Sequence, residues 1–210
     1  MYWFQYLSLG CLSICILTLL WHFFRLIKLG KPKDLSEKSG NIPKAEMYSY
    51  TIAMMPTNKE TAYLHIPTFT LGMLFHIGTF AGFILFVTWF FVNPEQFPYW
   101  LTICSSIILA IGAVSGISLF VKRILFKKMR ELSNPDDFLS NIFTTLFQVA
   151  TLAYLMLGYD FAIPYYIITS MLLLYLPVGK LRHVVYFFAA RYHLGFFYGW
   201  RNSWPPQKTS

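Results

Sequence analysis

Five long apolar runs, separated by polar segments, dominate the hydrophobic pattern of this chain. They cover residues 3–24, 64–92, 99–121, 138–157 and 164–185. A helix needs about 20 apolar residues to cross the hydrocarbon core of a bilayer, and each run is long enough. The pattern therefore predicts an all-α membrane protein with five transmembrane helices. The fifth run continues as an amphipathic stretch, so we expect its helix to cover about 164–192.

The composition agrees with a membrane protein. Of the 210 residues, 56% are hydrophobic and only 12% are charged, whereas a soluble domain carries about a quarter charged residues. The first apolar run begins almost at Met1, has no basic segment before it and is long enough to span. We therefore expect a retained helix at the start of the chain rather than a cleaved signal peptide.

The positive charges predict the orientation. All 17 Lys and Arg residues fall in three segments, with seven in 25–61, five in 122–137 and five from 180 onwards, while the other two connections hold only Glu95 and Asp160. Because cytoplasmic segments are rich in Lys and Arg, we expect the N-terminus outside and the C-terminus in the cytoplasm. The chain then reads as one membrane domain with a cytoplasmic loop at 25–61 and a cytoplasmic tail at 193–210. This sorting explains the net charge of +8 without nucleic acid.

Two histidines fall inside the predicted helices. His76 lies about 12 residues from the inner start of helix two, roughly 18 Å along its axis. His183 lies about 19 residues from Pro164, roughly 28 Å along helix five. With tilt, both imidazoles are expected to face each other in the inner half of the bilayer.

Two neutral imidazoles on facing helices are the arrangement that binds a b-type haem through its axial positions. Gly78 and Gly82 would leave room for a flat macrocycle, and Gly72 lies four residues before His76. Lys180 and Arg182 flank His183 at the depth where the propionates would emerge, and cations pair well with carboxylates. An alternative stays open for each feature: a buried histidine can hydrogen-bond a neighbouring helix, glycines can serve helix packing, and the two cations can be ordinary cytoplasmic residues.

A second haem is an alternative for the remaining interfacial histidines. His65 lies eleven residues before His76, and His193 lies ten residues after His183. The two helices are antiparallel in the predicted topology, so both offsets point to the cytoplasmic side. Pro67 and Gly195 are expected to disturb these helix ends. Two interfacial histidines near a docked partner are the other interpretation.

A group of polar residues is expected at the outer ends of helices two, four and five. Its members are Thr88, Asp160, Tyr165 and Tyr166. Hydroxyl and carboxyl groups of this kind hydrogen-bond the oxygens of a quinol head group. Ordinary interface residues have the same composition, so both interpretations stand.

Two motifs resemble those of the respiratory nitrate reductase gamma subunit family. Residues 74–78, LFHIG, resemble its ligand motif on the second helix, and residues 176–183, LPVGKLRH, resemble its motif on the fifth. The connection from Val121 to Asp137 and Gln148 on the fourth helix are also similar, so the resemblance covers about 71–183. It implies a five-helix cytochrome b of a bacterial or archaeal cytoplasmic membrane. It also implies an oxidoreductase subunit that moves electrons between the quinone pool and a cytoplasmic iron–sulfur subunit.

One departure from the family pattern limits the haem count. Phe86 and Tyr165 occupy the positions where the family carries its outer haem ligands. The resemblance therefore implies one haem b, held by His76 and His183. Branches linked to heterodisulfide-reductase-like or sulfite-reduction complexes match as well as nitrate reductase. The missing outer ligands also leave a haem-free membrane anchor or assembly subunit of the same topology as an alternative.

Overall fold

In the computed structural model, which describes residues 2–29, 35–55, 58 and 65–206, every regular element is helical. The α-helices are α1 (Trp3–Leu29), α2 (Ile42–Tyr50), α3 (Ile66–Thr88), α4 (Tyr99–Leu125), α5 (Lys127–Glu131), α6 (Pro135–Leu157), α7 (Ala162–Tyr175) and α8 (His183–Trp200). Short 3₁₀ turns at Ile52–Met54, Pro94–Gln96, Gly158–Phe161 and Lys180–Arg182 connect some of them. The all-α prediction is confirmed.

Four stretches of this part of the chain are long and apolar enough to cross a membrane. They are Trp3–Leu29, Ile66–Thr88, Tyr99–Leu125 and Pro135–Tyr175. Many of their large apolar side chains are exposed, as expected for helices whose solvent is lipid. These stretches indicate a multi-pass membrane protein.

The chain divides into two compact units. The first unit holds Met1–Cys15 and Ile66–Leu181, and the second holds Ile16–His65 and Arg182–Ser210. Helix α1 therefore begins in the first unit and ends in the second. His76 belongs to the first unit and His183 to the second.

The first unit is built from helices of alternating direction. Gly78 of α3 meets Gly112 of α4, and Gly112 meets Gln148 of α6. Helices α6 and α7 form an antiparallel pair, because Tyr154 stacks on Tyr165 with centroids 4.8 Å apart, while at the far ends Tyr175 lies 5.0 Å from Phe143. The 41-residue apolar stretch thus folds back on itself at Gly158–Phe161.

The first half of α1 runs parallel to α7. The Ser8 and Ser170 hydroxyls lie 2.9 Å apart, and Gln5 Nε2 donates to Tyr166 Oη over 3.4 Å. Small and polar side chains at such contacts let helices approach closely in a membrane and hold them by hydrogen bonds. These contacts fix the direction of α1 within the first unit.

In the second unit, α2 packs antiparallel on α8. Ser49 Oγ donates to Arg191 O over 2.9 Å, and Tyr50 Oη donates to Phe188 O over 2.7 Å. A Cβ at Gly195 or Gly199 would collide with α2, so the two glycines allow the close approach. Part of the segment predicted as the loop 25–61 is therefore an ordered helix.

The prediction of one continuous helix over about 164–192 is wrong. Helix α7 ends at Tyr175, and a turn and a 3₁₀ segment precede α8. Pro177 explains the break, because it lacks an N–H and its ring would clash with the carbonyl of Leu173. Helix α8 then runs on to Trp200, so Gly195 does not end it and the tail predicted from 193 begins as helix. The predicted start of helix two at residue 64 lies outside the described residues.

Candidate functional site

His76 lies near the middle of α3, on an exposed face. It is ten residues from the start of the helix, about 15 Å along the axis, with the rings of Phe75 and Phe80 beside it at 6.5 and 6.3 Å. Gly72 lies one turn earlier on the same face, and a Cβ there would meet nothing within 4 Å. The face that carries His76 therefore leaves room for a flat group.

The other two glycines of α3 have a different role. A Cβ at Gly78 would lie 2.8 Å from Gly112 Cα, and a Cβ at Gly82 would lie 2.8 Å from the Phe147 ring. Both positions are filled by neighbouring helices of the first unit. The expectation that these two glycines clear a haem is wrong, and the helix-packing alternative describes them.

Gln148 is a fully buried polar residue between α3 and α4. Its Nε2 donates to Phe75 O over 2.9 Å and to Thr79 Oγ1 over 2.7 Å. No donor among the described residues hydrogen-bonds to its Oε1, which packs against Gly112. These two hydrogen bonds hold the turn of α3 that carries His76. In the sequence, Gln148 stood out only by its similarity to the fourth helix of the family, without this role.

His183 is the first residue of α8 and follows the 3₁₀ turn Lys180–Arg182. Its side chain is exposed. The depth expected for it assumed continuous helix from Pro164, and α7 ends before it at Tyr175. That depth calculation is therefore wrong, although the haem-ligand assignment itself stays a prediction.

Lys180 pairs with a protein carboxylate. Its Nζ contacts Asp137 Oδ1, which Arg123 also approaches at 3.3 Å. The other oxygen of Asp137 accepts from the Asn134 N–H over 3.0 Å. Asp137 is almost completely buried, and sequence reasoning did not single it out. The signal was present as Asn134-Pro135-Asp136-Asp137, the pattern of a helix capping box.

Arg182 lies in the second unit, with its guanidinium 5.8 Å from the centroid of the Tyr186 ring. His193 Nε2 lies 3.2 Å from Leu26 O, in the last turn of α1, where carbonyls lack partners within the helix. His65 is exposed in the turn before α3. The contact of His193 fits the interfacial alternative to a second haem.

The polar residues at the other end of the first unit differ in their surroundings. Tyr165 and Tyr166 are fully buried and pack edge to face at 4.9 Å. Thr88 donates to Ile84 O of its own helix over 2.8 Å, and Asp160 is exposed.

A buried aromatic cluster surrounds the two tyrosines. Trp89 lies 5.1 Å from Tyr165 and 4.7 Å from Tyr154, centroid to centroid. Within the described part of the chain, Trp89 Nε1 is buried without a hydrogen-bond partner, whereas the Tyr165 hydroxyl lies close to the hydroxyls of Thr151 and Thr169. Buried donors normally find an acceptor, so this cluster has capacity for one.

Across residues 2–29, 35–55, 58 and 65–206, no group of three or more His, Cys, Asp or Glu residues is arranged to hold a metal ion. A bis-histidine haem needs only two protein ligands. No protein-family model, curated protein or solved structure matches this chain.

Proposed function

We propose that this chain is the haem b membrane subunit of a respiratory oxidoreductase complex, with His76 and His183 as axial ligands. The observation that carries the proposal is His76 itself. An imidazole in the middle of an apolar spanning helix is costly unless it has a task, and its open face beside Gly72 fits a flat ligand. Haem iron supplies one-electron transfer when it is bound. The resemblance at 74–78 and 176–183 supports the same pair.

The chain's own residues hold and surround the group. Gln148 fixes the turn of α3 next to His76 through the Phe75 carbonyl. Arg182 precedes His183 directly and supplies a cation for a propionate, while Lys180 would share its charge between a propionate and Asp137.

The partner is a cytoplasmic iron–sulfur subunit on the basic face. The chain has three cysteines, so it does not offer the four thiolates of a cluster. A partner must therefore accept or supply the electrons. The quinone would bind at the opposite end of the first unit, near Thr88 and Asp160, where Tyr165 and Trp89 carry buried donors.

We also propose that the chain crosses the membrane five times, with its N-terminus outside and its C-terminus in the cytoplasm of a bacterial or archaeal cell. The antiparallel pair of α6 and α7 supports two crossings within the stretch Pro135–Tyr175. The basic connections support the direction, since Lys122, Arg123 and Lys180 lie at the same end of the first unit as Asp137.

A haem-free membrane anchor or assembly subunit is the second candidate. Three contacts favour it: Gly78 and Gly82 pack against neighbouring helices, Lys180 pairs with Asp137, and His193 caps α1 at Leu26. Each of these residues has a structural task that needs no cofactor.

One measurement separates the two candidates. The full chain is purified from its native membrane, and a reduced-minus-oxidised spectrum is recorded together with a pyridine haemochrome assay. We expect a b-type α band that His76→Ala and His183→Ala each remove. His193→Ala and, in the second half of α1, His22→Ala are expected to retain it. The complete absence of a band would favour the anchor. A full band in either ligand variant would show that the ligand assignment is wrong, and iron per chain decides between one and two haems.

A further inference from the structure

All four arginines of the second unit lie over an aromatic ring four residues away on the chain. The pairs are Arg25 with Trp21 at 5.4 Å, Arg182 with Tyr186 at 5.8 Å, Arg191 with Phe187 at 5.6 Å, and Arg201 with Phe197 at 3.8 Å, measured from Cζ to the ring centroid. Such cation–π pairs hold a guanidinium against an apolar ring. Aromatic rings prefer the membrane interface, and guanidinium groups bind phosphate. Such a pair therefore suits the headgroup layer of a lipid membrane.

Three of these pairs belong to α8 and its ends. Tyr186, Phe187, Leu194 and Phe197 form an exposed strip on this helix, each between 36% and 42% exposed. On the other side Val185, Ala189, Gly195 and Gly199 are buried, and Phe188 between them is 47% exposed. Helix α8 is not among the stretches apolar enough to cross a membrane. An amphipathic helix with aromatic residues on one side and cations along its edges is typical of a helix that lies in the membrane surface.

A hydrogen bond within the second unit sets the level of α8. His193, in the middle of α8, contacts the carbonyl of Leu26. Leu26 lies 23 residues after Trp3 in helix α1, which is about 34 Å along the axis. The hydrocarbon core is about 30 Å thick. Leu26 therefore lies a few ångströms beyond the core when Trp3 lies at its opposite edge. Trp21 and Arg25 precede it, as expected at an interface. The middle of α8 is therefore held at the membrane surface.

The spread of the arginines sets the direction of α8. Arg182 and Arg201 are 19 residues apart, roughly 28 Å along a helix. If α8 stood along the membrane normal, Arg182 and Arg201 could not both reach the same headgroup layer. All three arginines reach it together only when the helix lies in the plane of the membrane.

We propose that α8 lies in the membrane surface and binds anionic phospholipids, with its exposed strip in the acyl boundary and Arg182, Arg191 and Arg201 on lipid phosphates. A groove of about 300 Å³ between the end of α1 and α8 belongs to the same layer. Its walls are Leu26, Leu29, Tyr186, Ala189, Ala190 and His193. Such an apolar groove suits part of an acyl chain. One guanidinium does not pair with a haem propionate and a lipid phosphate at the same time, so Arg191 and Arg201 carry the lipid contact wherever Arg182 pairs with a propionate.

The depth of α8 tests the proposal directly. Nitroxide labels are attached at Phe187→Cys, Leu194→Cys and Phe197→Cys in the full chain, with Cys11→Ala, Cys15→Ala and Cys104→Ser as background. The protein is placed in nanodiscs of phosphatidylcholine with phosphatidylglycerol, and accessibility to oxygen and to a water-soluble nickel complex gives the depth. We expect three equal depths, about 5–10 Å below the phosphates. Ile111→Cys on the exposed side of the spanning helix α4 is the deep reference.

Two results would overturn the proposal. Depths that change by about 1.5 Å per residue along the helix would show that α8 stands across the bilayer. Labels that react with the nickel complex as freely as in water would show that the strip faces the aqueous phase and is available to a soluble partner.

The lipid preference tests the role of the arginines. Phosphatidylglycerol is expected to raise the melting temperature of the wild-type chain relative to phosphatidylcholine alone, and R182Q/R191Q/R201Q is expected to lose most of that rise. The control K127Q/K128Q/R130Q removes the same number of charges from α5 and its end, and it is expected to keep the rise. Equal losses in both triple variants would show a general effect of charge and contradict a site on α8.

Discussion

The glycines of α3 differ in what surrounds them, although they look alike in the sequence. Gly78 meets the backbone of α4, while the space next to Gly72 is open. Glycine is therefore required at position 78 and only tolerated at position 72. The difference gives a paired test of the helix contact.

Gly78→Ala is expected to destabilise the protein by about 1–3 kcal/mol, because the added methyl forces α3 and α4 apart. Gly72→Ala is expected to be neutral or stabilising, since alanine is the better helix former. Thermal unfolding in detergent, followed by circular dichroism, measures both. Equal effects of the two substitutions would contradict the close contact between Gly78 and Gly112.

Glu46 is a partly buried acid in the second unit, where it packs against Gly195 of α8. Burial raises the pKa of its carboxyl above the usual value of 4.5. The folded state therefore binds this proton more tightly than the unfolded state does. Stability from this group is present at low pH and falls as the pH rises through the raised pKa.

Glu46→Gln is expected to remove that fall, because the amide stays neutral at every pH. The variant and the wild type should unfold alike near pH 4, and the variant should be the more stable one near neutrality. Melting temperatures across this range measure the difference. A wild type that gains stability relative to the variant as the pH rises would reverse the sign and contradict the burial argument.

At the scale of elements, one carboxylate joins three segments of the first unit. Asp137 caps α6 through Asn134, contacts Arg123 of α4 and holds Lys180 after α7. The capping role needs only an oxygen, whereas the contacts to the two cations need the charge. The two roles can therefore be separated by one substitution.

Asp137→Asn is expected to keep the cap and lose about 1–2 kcal/mol of stability. This loss is below the value for a fully buried pair, because both cations are partly exposed. Glu131→Gln is the matched control, since its pair with Lys127 is exposed on both sides, and its effect should stay below about 0.5 kcal/mol. Urea or thermal unfolding in detergent reports both. Similar small effects would show that the Asp137 charge does not stabilise the first unit.

At the scale of the whole chain, the alternating helix directions of the first unit separate its charges. Lys122, Arg123 and Lys180 lie at the end where α6 begins, whereas Glu95 lies at the other end, beside Gly158. Such asymmetry is typical of a protein whose basic end faces the cytoplasm.

Labelling with a membrane-impermeant thiol reagent tests the orientation in intact cells. In a chain without its native cysteines, Glu95→Cys and Asp160→Cys are expected to react from outside, and Lys128→Cys only after the cells are opened. The opposite pattern would reverse the topology. Reaction of Glu95→Cys without Asp160→Cys would show that α6 and α7 do not both cross the membrane.

The sequence by itself determined the membrane class and most of the helix positions. Apolar runs of spanning length and 17 basic residues in three segments are local properties, because the lipid imposes them on each segment separately. Pro177 was visible as well, but the apolar residues around it concealed the break between α7 and α8. The spacing of Asn134 and Asp137, which form the capping box of α6, is likewise a local property of the sequence.

Only the tertiary structure decided what the small and polar residues do. The same residue type has opposite roles at Gly72 and Gly78, because the role depends on which helix lies opposite. Lys180 and His193 likewise have partners, Asp137 and the Leu26 carbonyl, that are distant along the chain. Spacing within one helix fixes which face a residue occupies, but packing between helices fixes what that face meets. The partner of a polar group in a membrane is for that reason a property of the fold.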